Sequence, residues 1–171
     1  MSPELEQIRG EVQRVAGTIS QDNWRYAPPG KWSCAEILEH LRLSYTATTK
    51  GALTALQTGK PLGGKPTLKD KFTTFYVAKL GLLPSGFAAP KQTVPQNGGE
   101  QSLRSFNDAL VAMDATLADA EKRFGSVAKI LDHPILGPLN ATDWRRVHRA
   151  HARHHLKQIQ QRIRQASSGS S

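Results

Sequence analysis

Apolar residues recur at alternating spacings of three and four in separate stretches of this chain. Leu5, Ile8, Val12, Val15 and Ile19 mark the first stretch. Leu103, Phe106, Leu110, Met113, Leu117, Ala120 and Phe124 mark another, and Gly125 stops it. That period turns one stripe of a helix inwards, as at the seam of a bundle. The first helix is predicted from an N-cap at Ser2, with Pro3 in its first turn, to about Ile19 or Ser20. Ser33-Cys34-Ala35-Glu36 reads as a capping box, with Trp32 and Ile37 placed for a hydrophobic staple. The helix it opens buries Ile37, Leu38, Leu41, Tyr45 and Ala52 and runs to about Gln57. Asn140 caps a last helix predicted over 141–165, with Asp143 placed to complete a weaker box.

Between these segments lie breakers. Pro28-Pro29-Gly30 interrupts the loop 22–31, where Trp24, Tyr26 and Trp32 read as packing residues over one bundle end. Residues 58–66 carry glycine, proline and lysine without the G-K-[ST] ending of a phosphate loop, and read as a linker. Leu68, Phe72, Phe75, Tyr76 and Leu80 suggest a shorter amphipathic helix ending at Gly81. A long Gly/Pro-rich excursion follows over 84–99, near the bundle mouth. Residues 130–139 read as a loop with apolar anchors, in which His133 supports the ligands from behind or is structural rather than a ligand itself, and no segment shows strand alternation. The prediction is an all-α four-helix bundle over 1–165, with an extra short helix and long loop between helices 2 and 3. A Ser/Gly-rich tail over 166–171 is expected to be disordered.

Composition changes this picture in a few places. The 171 residues are enough for one domain with a real core. No apolar run approaches the roughly 20 residues needed to span a bilayer, and the acidic start has no signal core, so a cytoplasmic protein is expected. The single cysteine, Cys34, excludes an internal disulfide and reads as a small packing residue. A net charge of +9 raises nucleic acid as a partner. No aromatic-basic signature or zinc-finger spacing accompanies it, so the charge reads as a solvated face rather than a nucleic-acid surface. Its field would also favour an acidic small substrate.

The last helix carries the chemistry. Four of the six histidines fall between His148 and His155. At about 100° per residue, His151 and His155 lie roughly 40° apart, with Trp144, His148 and Arg162 within about 60° of His151. Arg145, Arg146, Arg149, Arg153 and Lys157 lie opposite, towards water. Two inward histidines at i and i+4 can hold one metal ion if another helix supplies a third ligand. The competing reading makes them hydrogen-bonded core residues, since burying both without partners is costly. His40 lies on the shoulder of the second helix's apolar wedge, about 60° from Ile37. Periodicity leaves it either across from a neighbouring helix or in solvent. Glu39 beside it is expected to face outwards, and no inward carboxylate is offered as a general base.

Lys31-Trp32-Ser33 followed by Glu36-Ile37-Leu38-Glu39-His40-Leu41 resembles the first motif of the DinB/YfiT-like superfamily. Gly137-Pro138-Leu139, Trp144 and the run from His151 to Ile159 resemble its closing motifs, in the expected order. The resemblance implies a four-helix bundle with a divalent metal held by one histidine of the second helix and two of the last. Carried over by position, these are His40, His151 and His155. His148 falls outside that triad, as a candidate pocket-lining residue, and so does His154, read as hydrogen-bonding at the helix edge or packing the helix against a neighbour.

Three neutral imidazoles leave a coordination position open for water or substrate. The resemblance further implies a thiol-dependent S-transferase, or a related hydrolase or isomerase, with a low-molecular-weight thiol as partner. Zinc or nickel leads the candidate ions, although imidazole suits several. The alternatives are a non-catalytic, stress-related module binding metal or a small molecule, and a metal-free structural homodimer.

Overall fold

Local capping sets where the helices begin, and interhelix packing sets which faces they hide. The computed structural model describes residues 1–68, 70, 89–96 and 100–168. Among them are four long helices, α1 (Pro3–Ala16), α2 (Cys34–Thr58), α3 (Glu100–Phe124) and α4 (Ala141–Ser168). Single 3-10 turns lie at Asp22–Trp24 and Lys91–Thr93. Both α1 and α2 lie against α3 and α4, which makes an all-α bundle. The core runs along its axis through Leu5, Ile8, Leu38, Tyr45, Phe106 and Leu117, all fully buried. The predicted short helix ending at Gly81 lies outside the described residues. No helix among the described residues is long and apolar enough to cross a membrane.

The capping box is formed. Ser33 Oγ accepts from the Glu36 N–H at 3.2 Å, and the Glu36 carboxylate accepts from the Ser33 N–H at 2.8 Å. Gly59, with φ +71°, closes the same helix in the left-handed conformation that glycine adopts without a Cβ clash. Asn140 Oδ1 accepts from the Asp143 N–H at 2.8 Å, while the Asp143 carboxylate pairs with Lys129 at 3.3 Å.

Several boundaries and faces differ from the sequence-based expectation. α1 ends at Ala16, because Gly17 caps it with its N–H on the Gln13 carbonyl, yet Ile19 is still buried beyond the turn. Ser2 occupies the N-cap position without a side-chain cap, and its backbone N–H donates to Asp114 Oδ2 at 2.6 Å instead. α4 continues to Ser168, three residues past the expected end.

The region 130–139 is not a plain loop. β1 (Leu131–His133) and β2 (Gly137–Leu139) pair antiparallel, with Leu131 opposite Leu139 and His133 opposite Gly137. Three-residue strands are too short to display a period of two. The His133 Nδ1 accepts from the N–H groups of Ile135 and Leu136, so this imidazole ties down the hairpin turn.

Glu39 does not face outwards. It is 2% exposed and lies 3.7 Å from Arg42. The segment carrying the Lys91–Thr93 turn packs on α2 at the neighbouring His40, a contact that periodicity on α2 does not report. Nor do all the α4 cations point to water. Arg145 bridges to α3, with Nε 2.7 Å from Asp114 and Nη1 2.8 Å from Glu121. Arg153 reaches Glu11 of α1 at 2.9 Å.

Candidate metal centre

Ser33 fixes the start of α2 and therefore the register of His40, two turns further on. His151 and His155 lie one turn apart on α4, on the face turned to α2. The ligand nitrogens of His40, His151 and His155 all lie within 4.8 Å of one another. His151 Nε2 stands 3.1 Å from His40 Nε2 and 3.0 Å from His155 Nε2. Around a tetrahedral ion with metal–nitrogen bonds of about 2.0–2.1 Å, ligand nitrogens sit roughly 3.3 Å apart. The two separations from His151 lie close to that spacing.

The outer nitrogens decide what the inner ones offer. His40 Nδ1 is 2.8 Å from the Thr93 carbonyl, and His155 Nδ1 is 2.8 Å from Gln158 Oε1. Both oxygens only accept, so each Nδ1 carries the hydrogen and donates it. Neutral His40 and His155 therefore turn bare lone pairs at Nε2 towards His151. His151 Nε2 carries at most one hydrogen and can serve one of those lone pairs, leaving the other against nitrogen. A cation at the shared point serves all three. By this chemistry of the donor set, the residues fit a metal ion.

Electrostatics agree with neutral imidazoles. Burial pushes His155 down to about 3, with the neighbouring His40 adding to it. Burial likewise holds His151 well below the ordinary imidazole value, reinforced by His155 and His40. His40 is lowered by burial, with the Thr93 carbonyl opposing. Near neutral pH no proton competes for these nitrogens.

Trp32 belongs to the site rather than only to the packing of the loop before α2. Its ring lies 4.9 Å from that of His40 and 6.5 Å from that of His155, centroid to centroid. Gln158 was also not singled out by periodicity, although its place three residues after His155 on one helix face was the available signal. The Thr93 carbonyl had no sequence signal, since any residue presents one.

His148 lies outside the three-histidine group. It is buried, its Nε2 2.9 Å from the Thr48 hydroxyl, and its ring packs against Tyr45 and Trp144 at 4.9 and 5.5 Å. His154 sits at the exposed helix edge, where its Nε2 accepts from Gln158 Nε2 at 3.2 Å. Cys34 is fully buried, and burial pushes its thiol up to about 11, so it is a packing residue rather than a ready nucleophile.

Fold and site together define an all-α bundle whose last helix and second helix bring three histidines close enough to hold one metal ion. Over residues 4–162 the chain matches the family described as "Protein of unknown function (DUF1569)", and it belongs to that family. Comparisons with curated proteins and with solved structures found no match.

Proposed function

We propose that this chain is a divalent-metal enzyme of the DinB/YfiT-like kind, a thiol-dependent S-transferase. His40, His151 and His155 would hold zinc or nickel. The observation that carries this reading is the pair of outer hydrogen bonds, which turn two bare Nε2 lone pairs onto a third histidine at 3.1 and 3.0 Å. When bound, the ion supplies acidification of a thiol or water near neutral pH. In the transfer, the S–H proton leaves to solvent and the sulfur's electron pair forms the new S–C bond. The leaving group of the electrophile departs with the electron pair of the bond that breaks.

The chain's own residues hold this arrangement in place. Thr93 and Gln158 orient two of the imidazoles, and Trp32 gives the centre an apolar wall that limits water beside it. The net charge of +9 favours acidic substrates.

The test is elemental analysis of untagged protein beside a His40→Ala variant, followed by assays of thiol with an electrophile before and after metal stripping. About one equivalent of metal, lost in the variant, together with metal-dependent turnover, supports the reading. Metal without turnover favours a binding module. Preparations with no metal would sink the metal-dependent reading.

A further inference from the structure

We infer that Arg162 anchors a carboxylate on the substrate, and so selects carboxylate-bearing small molecules for this centre. The inference rests on the metal reading above.

Arg162 follows His155 by seven residues on α4, which places it two turns on, about 20° round the axis and on the order of 10 Å along it. It is only 7% exposed. Its Nε donates to the Trp32 carbonyl at 3.0 Å and its Nη1 to Gln165 Oε1 at 3.3 Å. Both acceptors are neutral. Among the described residues no carboxylate lies within ion-pair distance of this guanidinium, whereas Arg145 on the same helix has two and Arg153 has one. A buried guanidinium without a countercharge is costly to keep, and the expected remedy is an anion that arrives with a ligand.

The geometry of the fork suits that ligand. With Nε committed to Trp32, the edge left for a carboxylate is the end-on one between Nη1 and Nη2, where two parallel hydrogen bonds form, Nη1 giving up its 3.3 Å bond to Gln165 if that hydrogen is needed. Trp32 connects this anchor to the centre, because its carbonyl holds Arg162 while its ring lies against His40 and His155. A molecule lying along the indole would put its carboxylate on Arg162 and its other end at the histidines. Substrates are then chains with a carboxylate at one end and the reacting group at the other, and the span between the two is what the series of chain lengths reads out.

The test uses cobalt(II)-loaded protein and ω-mercaptocarboxylic acids of increasing chain length, each beside its amide. Cobalt uptake is measured first, and thiol binding is then followed by the sulfur-to-cobalt charge-transfer absorbance. The best acid should bind wild type about tenfold tighter than its amide, the ratio a charge-assisted hydrogen bond supplies. In Arg162→Met that preference should vanish, acid and amide then binding alike. Arg162→Gln, which keeps a donor for the Trp32 carbonyl but no charge, decides the matter if the first variant does not fold. Acid and amide binding alike in wild type, or a preference surviving in either variant, overturns the anchor and leaves the metal reading intact. Wild-type protein that takes up no cobalt overturns both.

Discussion

Gln158 holds His155 by a 2.8 Å hydrogen bond from the imidazole Nδ1–H to its amide oxygen, and with its other amide atom it reaches His154. The first contact fixes both the tautomer and the ring orientation of His155. Outer partners of this kind typically change metal affinity by 10–100-fold. Gln158→Leu should therefore weaken zinc binding by about that factor in a chelator competition, while Gln158→Glu, which still accepts from Nδ1–H, retains it. Equal affinity in wild type and Gln158→Leu would show the contact to be incidental.

Metal should stabilise the fold through the same three side chains. Because α2 and α4 each contribute histidines to the candidate site, unfolding destroys it. Free metal at 100 times its dissociation constant then adds about 2.7 kcal/mol. Urea unfolding with and without added zinc checks this, and His151→Ala should abolish the difference. A wild-type curve indifferent to zinc would count against the shared site.

Acid should destabilise the metal-free protein from below pH 6.5. His148 is buried, and burial first, then the neighbouring His133, pushes it down to about 3. Between its unfolded value near 6.5 and about 3, the unfolded chain binds a proton that the folded one refuses. Stability is then full above pH 6.5 and falls as pH drops, by about 1.4 kcal/mol per pH unit for that proton. His155 adds a second proton over the same window. Urea unfolding at pH 7, 6 and 5 should show the decline, shallower by one proton in His148→Gln. A flat profile would mean that the imidazole is protonated in place.

Arg145 ties α4 to α3 from a largely buried position, its side chain 12% exposed and that of Asp114 7%. Arg145→Ala leaves the buried Asp114 carboxylate without a countercharge, with the Ser2 N–H as its remaining partner, and should cost about 3–5 kcal/mol. Replacing both partners with apolar residues, Arg145→Met with Asp114→Leu, should be milder. Denaturant midpoints for the two variants test the ordering. If the single change were the gentler one, the pair would not be a buried bridge.

Much of the bundle was legible because helices announce themselves locally. The capping box of α2 and the three-four spacing of α3 involve residues within a turn or two of each other, and both elements form where they were expected. The pairing of His151 with His155 was equally local. Less legible were features made by long-range covering. Glu39 looked solvent-facing because periodicity on α2 carries no record of what packs on that helix from elsewhere in the chain, as the segment around Thr93 does. The hairpin at 131–139 escaped because three-residue strands carry no alternation. Trp32 was legible as an apolar residue but not as the wall of a site.

The sequence by itself determined where the helices lie, the caps at Ser33 and Asn140 and the two imidazoles stacked on α4, since each depends on neighbours one to four residues away. Only the tertiary structure decided where the ring of His40 points. Its two hydrogen-bonding partners stand 53 and 111 residues away, on a 3-10 turn and on α4. Such contacts follow from how separate elements pack and what they exclude from water, and a shoulder position on one helix carries no record of either.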